Sequence, residues 1–241
     1  MDSIYWIVIL LVGSLLISTV FISWYIRKYR RSDVIIALYV VYIAMSQILA
    51  AKIGDFSIGS WEIFAPVAVI IFPFTFQLTD TINEHFGQKE THRMIFIAFI
   101  SQVLMVIFLI FGNLIEPAGF WWVDNDQWVM IFGQSMSITA ASWITFLLTE
   151  NLDAWLYQKI KTLTNDKHLW VRSIFSDVPV LALDSVIFVT LAFGIFGGQW
   201  FLVGPTIVGQ LLTKWFFGVI DTPFLYLDRY ITKGEYYGLE K

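Results

Sequence analysis

Nine charged residues stand in apolar surroundings: Lys52, Asp80, Glu84, Glu150, Asp153, Asp177, Asp184, Lys214 and Asp221. A charge at the centre of a membrane-spanning helix costs roughly 2.5–3.5 kcal/mol on insertion scales, so their number points to a polar pathway. Asp184 and Lys214 each fall near the middle of an apolar run and should meet at similar depth. Opposite charge is the arrangement that best keeps both ionised, so the two are expected to pair or to share a water. The competing reading is a purely structural salt bridge between the last two helices. Gln77, Asp80 and Glu84 follow i, i+3, i+7 spacing, which puts them on one helical face, and Gln210, Lys214 and Asp221 do the same in the last run. With Asn151 and Asp153 these faces are the expected lining of a cavity.

Some of these charges also have plainer explanations. Glu84 and Asp153 lie near a run's end, where headgroup solvation or a pair with Lys89 or Lys159 would satisfy them. Lys52 could snorkel outward from its run, and Asp177 is expected to pair with Arg172, five residues earlier. The buried acids outnumber the two lysines, so either some carboxylates are protonated or a cation enters. Asp80, Glu84 and Asp184 are the candidates for proton exchange.

Long apolar helices must position these groups. Of 241 residues, 58% are hydrophobic, 18% aromatic and 14% charged, with mean hydropathy +0.71. A soluble domain could not hide that apolar content, so the bilayer is the solvent. A hydrocarbon core of about 30 Å needs about 20 apolar residues per helical crossing. About seven runs qualify: 4–26, 34–54, 64–86, 94–115, 128–157, 169–196 and 201–227. The fold class is therefore all-α, a polytopic helical bundle. The first run is too long for a signal-peptide core and starts after Asp2, so it reads as a retained anchor.

Basic residues set the orientation. The connections at 27–33, 87–93 and 158–172 and the tail from 228 hold Arg27, Lys28, Arg30, Arg31, Lys89, Arg93, Lys159, Lys161, Lys167, Arg172, Arg229, Lys233 and Lys241. The opposite connections hold Asp55, Glu62, Glu116, Asp124 and Asp126 and no basic residue. The N-terminus is thus expected outside the cell and the C-terminus in the cytoplasm, in an inner (plasma) membrane. Trp61, Trp121, Trp122 and Trp128 on one side, and Tyr29, Tyr157, Trp170 and Tyr230 on the other, read as headgroup-level anchor belts. Gly133, Ser137, Ala141 and Thr145, four apart, form a small-residue stripe for close helix approach.

Several function classes are disfavoured. A net charge of −4 argues against nucleic-acid binding, and the absence of cysteine removes thiolate chemistry and Cys-based metal sites. His85, His92 and His168 are scattered, which argues against a zinc centre. The chain has no G-x-x-x-x-G-K-S/T loop, no H-E-x-x-H and no G-x-S-x-G, so neither an ATPase nor a protease or esterase is expected. No cofactor is called for.

The stretch from Lys52 to Phe99 carries Pro73, Leu78, Thr79, Asp80, Asn83, Glu84, Gly87 and Arg93. This run resembles the P…TD..NE..G…R signature of the queuosine precursor transporter family, also called the vitamin uptake transporter family. Asn151-Leu152-Asp153 before a basic loop, Asp184 in a DSVIF-type segment, and Lys214 followed by Asp221-Thr222-Pro223 match in order and spacing. Where the family often has Asn ahead of the lysine of its first core helix, this chain has Ser46-Gln47. The resemblance implies a six-helix core over 34–228, preceded by an added helix and basic loop in 1–33 and followed by a tail, 229–241. It implies import of 7-cyano-7-deazaguanine, 7-aminomethyl-7-deazaguanine or queuine, with Gln47, Lys52, Gln77, Asp80, Asn83, Glu84, Asn151, Asp153, Asp184, Gln210, Lys214 and Asp221 as expected substrate-binding residues. The partners would be the lipid bilayer and the deazapurine base, no nucleic acid, with a homodimer as the oligomer to test. A carboxylate can accept the base's N–H and amino group as a bidentate pair, and Phe72, Phe74, Phe76 or Trp215 could stack on the ring. The alternative is a substrate-capture subunit for a vitamin or nucleobase, energised by partner ATPases.

Overall fold

The computed structural model describes residues 3–50, 52–56, 63–132, 136–165, 167, 169–196, 198–218, 220–235 and 237. Asp2, Trp61, Glu62, Gly133, His168 and Lys241, and the side chains of Ser137 and Arg172, lie outside the described residues. The chain runs through α1 (Ser3–Tyr29), α2 (Asp33–Leu49), β1 (Ile53–Asp55), β2 (Phe64–Pro66), α3 (Phe72–Phe86), α4 (Gln88–Leu114), α5 (Asn125–Phe132), α6 (Met136–Leu163), α7 (Leu169–Val189), α8 (Trp200–Gly218) and α9 (Thr222–Thr232). Trp6–Tyr29, Gln88–Leu114 and Leu169–Ile195 are helices long and apolar enough to cross a membrane. Asp33–Leu49 is a shorter apolar helix, and α6 carries two buried acids, Glu150 and Asp153. The molecule is a helical membrane protein.

Three of the expected runs, 34–54, 64–86 and 201–227, are interrupted within the described residues, and the β1–β2 hairpin departs from an all-helical chain. The run 34–54 stops helically at Leu49 and ends in β1, which pairs antiparallel with β2, Ile53 opposite Pro66 and Asp55 opposite Phe64. The run 64–86 opens with β2 and a 3₁₀ turn, Val67–Ile71, before α3 begins. The run 128–157 spans the end of α5 and most of α6, and 201–227 is divided between α8 and α9, so the expected tail begins inside α9. Hydropathy cannot detect such breaks, because an apolar strand and an apolar helix have the same mean. Irregular backbone at depth is tolerated where protein covers it. Ala65, Ala68 and Val69 are buried accordingly.

Local chemistry fixes the helix ends. Pro73 and Pro223 sit in the first turns of α3 and α9, where a missing N–H is harmless. Gly87 joins α3 to α4 with φ 83°, a conformation that favours glycine. Pro179 and Pro205 lie inside α7 and α8, and α7 passes into a π-helical turn, Thr190–Ile195. Each removes or shifts an intrahelical hydrogen bond in the two helices that carry Asp184 and Lys214.

The first helix is knitted into the body. Its Thr19 hydroxyl accepts from Gln77 Nε2 of α3. Ser23 Oγ donates to Asp228 Oδ1 of α9 at 2.7 Å, and Asp228 Oδ2 lies 2.7 Å from His85 Nε2. The other ring nitrogen, Nδ1, faces the Glu235 carbonyl at 2.8 Å. Both partners are acceptors, so the His85 ring carries both protons and joins Asp228 as an ion pair. The principal apolar core, Ile35, Tyr39, Ile82, Met94 and Ala98 among others, lies between α2, α3 and α4. Outward faces are apolar and exposed, as at Ile17 and Phe108. Of the expected belts, Tyr29, Trp121, Trp122, Trp170 and Tyr230 are exposed, but Tyr157 is fully buried. Its hydroxyl instead reaches Glu84 Oε2 at 3.3 Å, a polar contact that composition alone could not foresee.

The hairpin is held tightly against α8: a methyl on Gly209 would lie 2.7 Å from the Phe64 carbonyl oxygen. Gly209→Ala should therefore lower stability by about 1–3 kcal/mol, the usual range for overpacking, measured as a lower melting temperature in detergent. Gly204→Ala, with open space around it, serves as the control.

Candidate functional site

The hairpin, the 3₁₀ turn and helices α2, α3, α6, α7 and α8 line a cavity of about 370 Å³, within the range that holds a small organic ligand. Its walls are mostly apolar, including Ile43, Val69, Phe72, Phe146, Phe188 and Phe193. Its polar groups converge from α2, α6, α7 and α8, with Thr75 of α3. Lys214 of α8 and Asp184 of α7 form an ion pair at the wall, with the lysine 3% exposed and its ammonium 4.4 Å from the centre of the Phe72 ring. Glu150 of α6 accepts the Tyr39 hydroxyl. Gln47 Nε2 donates to Gln102 Oε1 at 2.8 Å and to Ser142 Oγ at 2.9 Å. Gln210 is 2% exposed, and its Oε1 has no hydrogen-bond partner. A ligand that enters therefore meets a carboxylate pair, an ammonium and an unsatisfied amide oxygen in otherwise apolar walls.

Of the residues expected from sequence, Gln47, Asp184, Gln210 and Lys214 line this cavity. Five lie elsewhere. Lys52 is exposed. Gln77 bonds Thr19, and Asn83 Nδ2 donates to the Ala154 carbonyl at 2.9 Å. Glu84 pairs at 3.2 Å with Lys161, a partner other than the expected Lys89 or Lys159. Asn151 accepts from His92 at 2.6 Å and donates to the Leu147 carbonyl. Asp80, Asp153 and Asp221 are fully buried but outside the cavity lining, where Asp80 and Asp153 gather with Asp177. Asp177 takes hydrogen bonds from Ser173 and Ser176, at 3.2 and 3.0 Å. Of the four aromatic residues expected to stack on a ring, Phe72 lines the cavity.

Glu150 is the lining group that sequence reasoning left off the expected face. A signal for it exists: Ser142, Thr145, Thr149 and Glu150 recur at helical spacing as a continuation of the small-residue stripe. Reading that stripe as packing alone hid its polar extension. Ala141 and Thr145 are indeed buried, and Thr145 and Thr149 hydroxyls donate to carbonyls one turn back, at 2.7 and 2.9 Å.

A cavity among membrane helices, with a few convergent polar groups and an ion pair at its wall, suits a small-solute transporter. The family model described as "Putative vitamin uptake transporter" matches residues 66–227, and the chain belongs to this family. It is 28% identical over 167 residues to a "Probable queuosine precursor transporter" of Bacillus subtilis (strain 168), covering 67% of this chain and 70% of that protein. No solved structure matches the chain at a significant level. Both findings describe transporters rather than enzymes, and the protein is a multi-pass membrane transporter.

Removing one member of a buried pair leaves an uncompensated charge, which destabilises by about 3–5 kcal/mol, whereas removing both is far milder. Asp184→Asn and Lys214→Met should each lower the melting temperature markedly. The double variant should recover most of the loss, a non-additivity read directly by a double-mutant cycle.

Proposed function

We propose that the protein imports a 7-deazapurine precursor of a modified tRNA base, 7-cyano-7-deazaguanine, 7-aminomethyl-7-deazaguanine or queuine, and that the cavity at Asp184, Lys214, Glu150, Gln210 and Gln47 is its binding site. The observation that carries this reading is the polar inventory of an otherwise apolar chamber. A deazaguanine presents an N–H and an amino group on one edge, complementary to Glu150 or Asp184, and a carbonyl complementary to Lys214. The Phe72 ring, already beside the ammonium, supplies a face for the heterocycle. The name of the Bacillus subtilis relative supports the same substrate class.

Transport follows from competition for the ion pair. In the empty site Asp184 and Lys214 neutralise each other. A base that takes the carboxylate with its donor edge and the ammonium with its carbonyl replaces that pair without leaving either charge unpaired. Of the three carboxylates expected to exchange protons, Asp184 is the one that lines the cavity, so it is the proposed proton-exchange group in the state without base. The basic connections support an N-terminus outside and a cytoplasmic C-terminus in the plasma membrane.

Proteoliposomes containing the purified chain alone should accumulate a labelled deazapurine, and faster under an inward proton gradient. Uptake that needs an added ATPase subunit would instead identify a capture subunit. Glu150→Gln and Asp184→Asn should each weaken binding by about 10²-fold or more, and adenine, which leaves buried groups unpaired, should bind at least about 10²-fold more weakly than the best base. Indifference to an imposed pH gradient would remove the proton from the scheme. The chain has no cysteine, so Lys89→Cys and Gly119→Cys variants report orientation cleanly. An impermeant maleimide added to intact cells should label the second and spare the first.

A further inference from the structure

We propose that Asp80, Asp153 and Asp177, with Asp221 beside them, form a binding site for a hard metal cation, distinct from the substrate cavity. The three carboxylates come from α3, α6 and α7, each 2% exposed or less. One ligand oxygen from each lies within 4.8 Å of the others. Oxygens this close can all reach one ion, since each would bond it at about 2.4 Å. The donor set is all oxygen, the preference of Na⁺, Mg²⁺ and Ca²⁺ rather than of softer metals.

A second observation points to the same ligand. Asp221, at the start of α9, is fully buried, and among the described residues neither of its carboxylate oxygens has a hydrogen-bond partner. It is close enough to Asp80 and Asp177 for its charge to act on both. All four oxygens of Asp80 and Asp153 are likewise without partners, as is Oδ1 of Asn83, one turn beyond Asp80. Among the described residues no Lys, Arg or His is paired with any of these four acids. Ser173 and Ser176, among the described residues, donate hydrogen bonds to Asp177. These four buried carboxylates thus have, among the described residues, few donors and no cationic partner, an environment that a bound cation would relieve.

The site would communicate with the cavity through Glu150. Its charge acts on Asp153, and it in turn feels Asp184 and Lys214. A cation at the acid cluster would thus relieve repulsion that reaches the substrate site, a route for coupling ion and solute. That coupling rests on the substrate reading, whereas cation binding does not.

The test uses the full-length protein in detergent, freed of metals by a chelator and held at constant ionic strength with N-methylglucamine chloride. Melting temperature is followed as NaCl, MgCl₂ or CaCl₂ is added separately, since a ligand that binds only the folded state raises it saturably. One of the three should stabilise the wild type. Asp153→Asn and Asp177→Asn should weaken that response at least about tenfold, whereas Gln47→Ala, in the cavity, should leave it intact. Equilibrium dialysis of the wild type with radiolabelled sodium or calcium needs no variant, and should give one ion per chain. Stabilisation by acid pH alone, with no response to any metal, would mean that protons neutralise the cluster and would overturn the proposal. So would a metal response unchanged in both aspartate variants. Failure of deazapurine binding with metal binding intact would count against the substrate reading only.

Discussion

The constraint on which this structure turns is that an ionised group at bilayer depth must find compensation inside the protein. The ion pair of Asp184 and Lys214 is the clearest case. It lies between α7 and α8, beside the Phe72 ring, and its two members come from helices that each carry an internal proline. Neither charge would be tolerable alone, and together they are tolerable only where the surrounding helices exclude lipid. The pair lies at the wall of the cavity, where these two helices meet the hairpin, α2 and α6.

The interruptions have a shared logic. An unbroken helix satisfies its own backbone and offers only side chains to a ligand. The β1–β2 hairpin, the 3₁₀ turn before α3 and the π-helical turn after α7 all touch the cavity, through Ile53, Pro66, Val69 and Phe193. Each brings the chain's direction or spacing out of register with a straight rod, and protein covers each in part, at Ala65, Val69 and Ala192. The close approach of Gly209 to Phe64 shows how little space separates the hairpin from α8.

The polar residues at depth divide into three kinds of environment. Cavity groups keep unsatisfied or exchangeable bonds open toward the chamber. Stitching groups, such as Thr19 with Gln77 and Ser23 with Asp228 and His85, close their bonds within the protein and tie α1 and α9 to α3. The acid cluster does neither, and its charge is balanced by no described side chain. A residue's place in the sequence pattern is compatible with any of the three, since helical spacing alone says which residues share a face but not what that face meets.

Much was nonetheless legible in the residues. Mean hydropathy and the length of apolar runs determined a helical membrane protein, because no other solvent accommodates such a composition. The scarcity of charge at depth singled out Asp184 and Lys214, and opposite sign at equal depth was enough to pair them. What the sequence could not contain was azimuth and partner. Whether Asp80 faces Lys214 or Asp153, whether Glu84 finds Lys159 or Lys161, and whether Tyr157 lies in a headgroup belt or in the core depend on how helices distant in the chain rotate against one another. Tertiary packing decided those questions, and it moved Gln77, Asn83 and Asn151 out of the expected lining while bringing Glu150 in. The physical reason is that periodicity is a local property of one helix, whereas a site is an intersection of several.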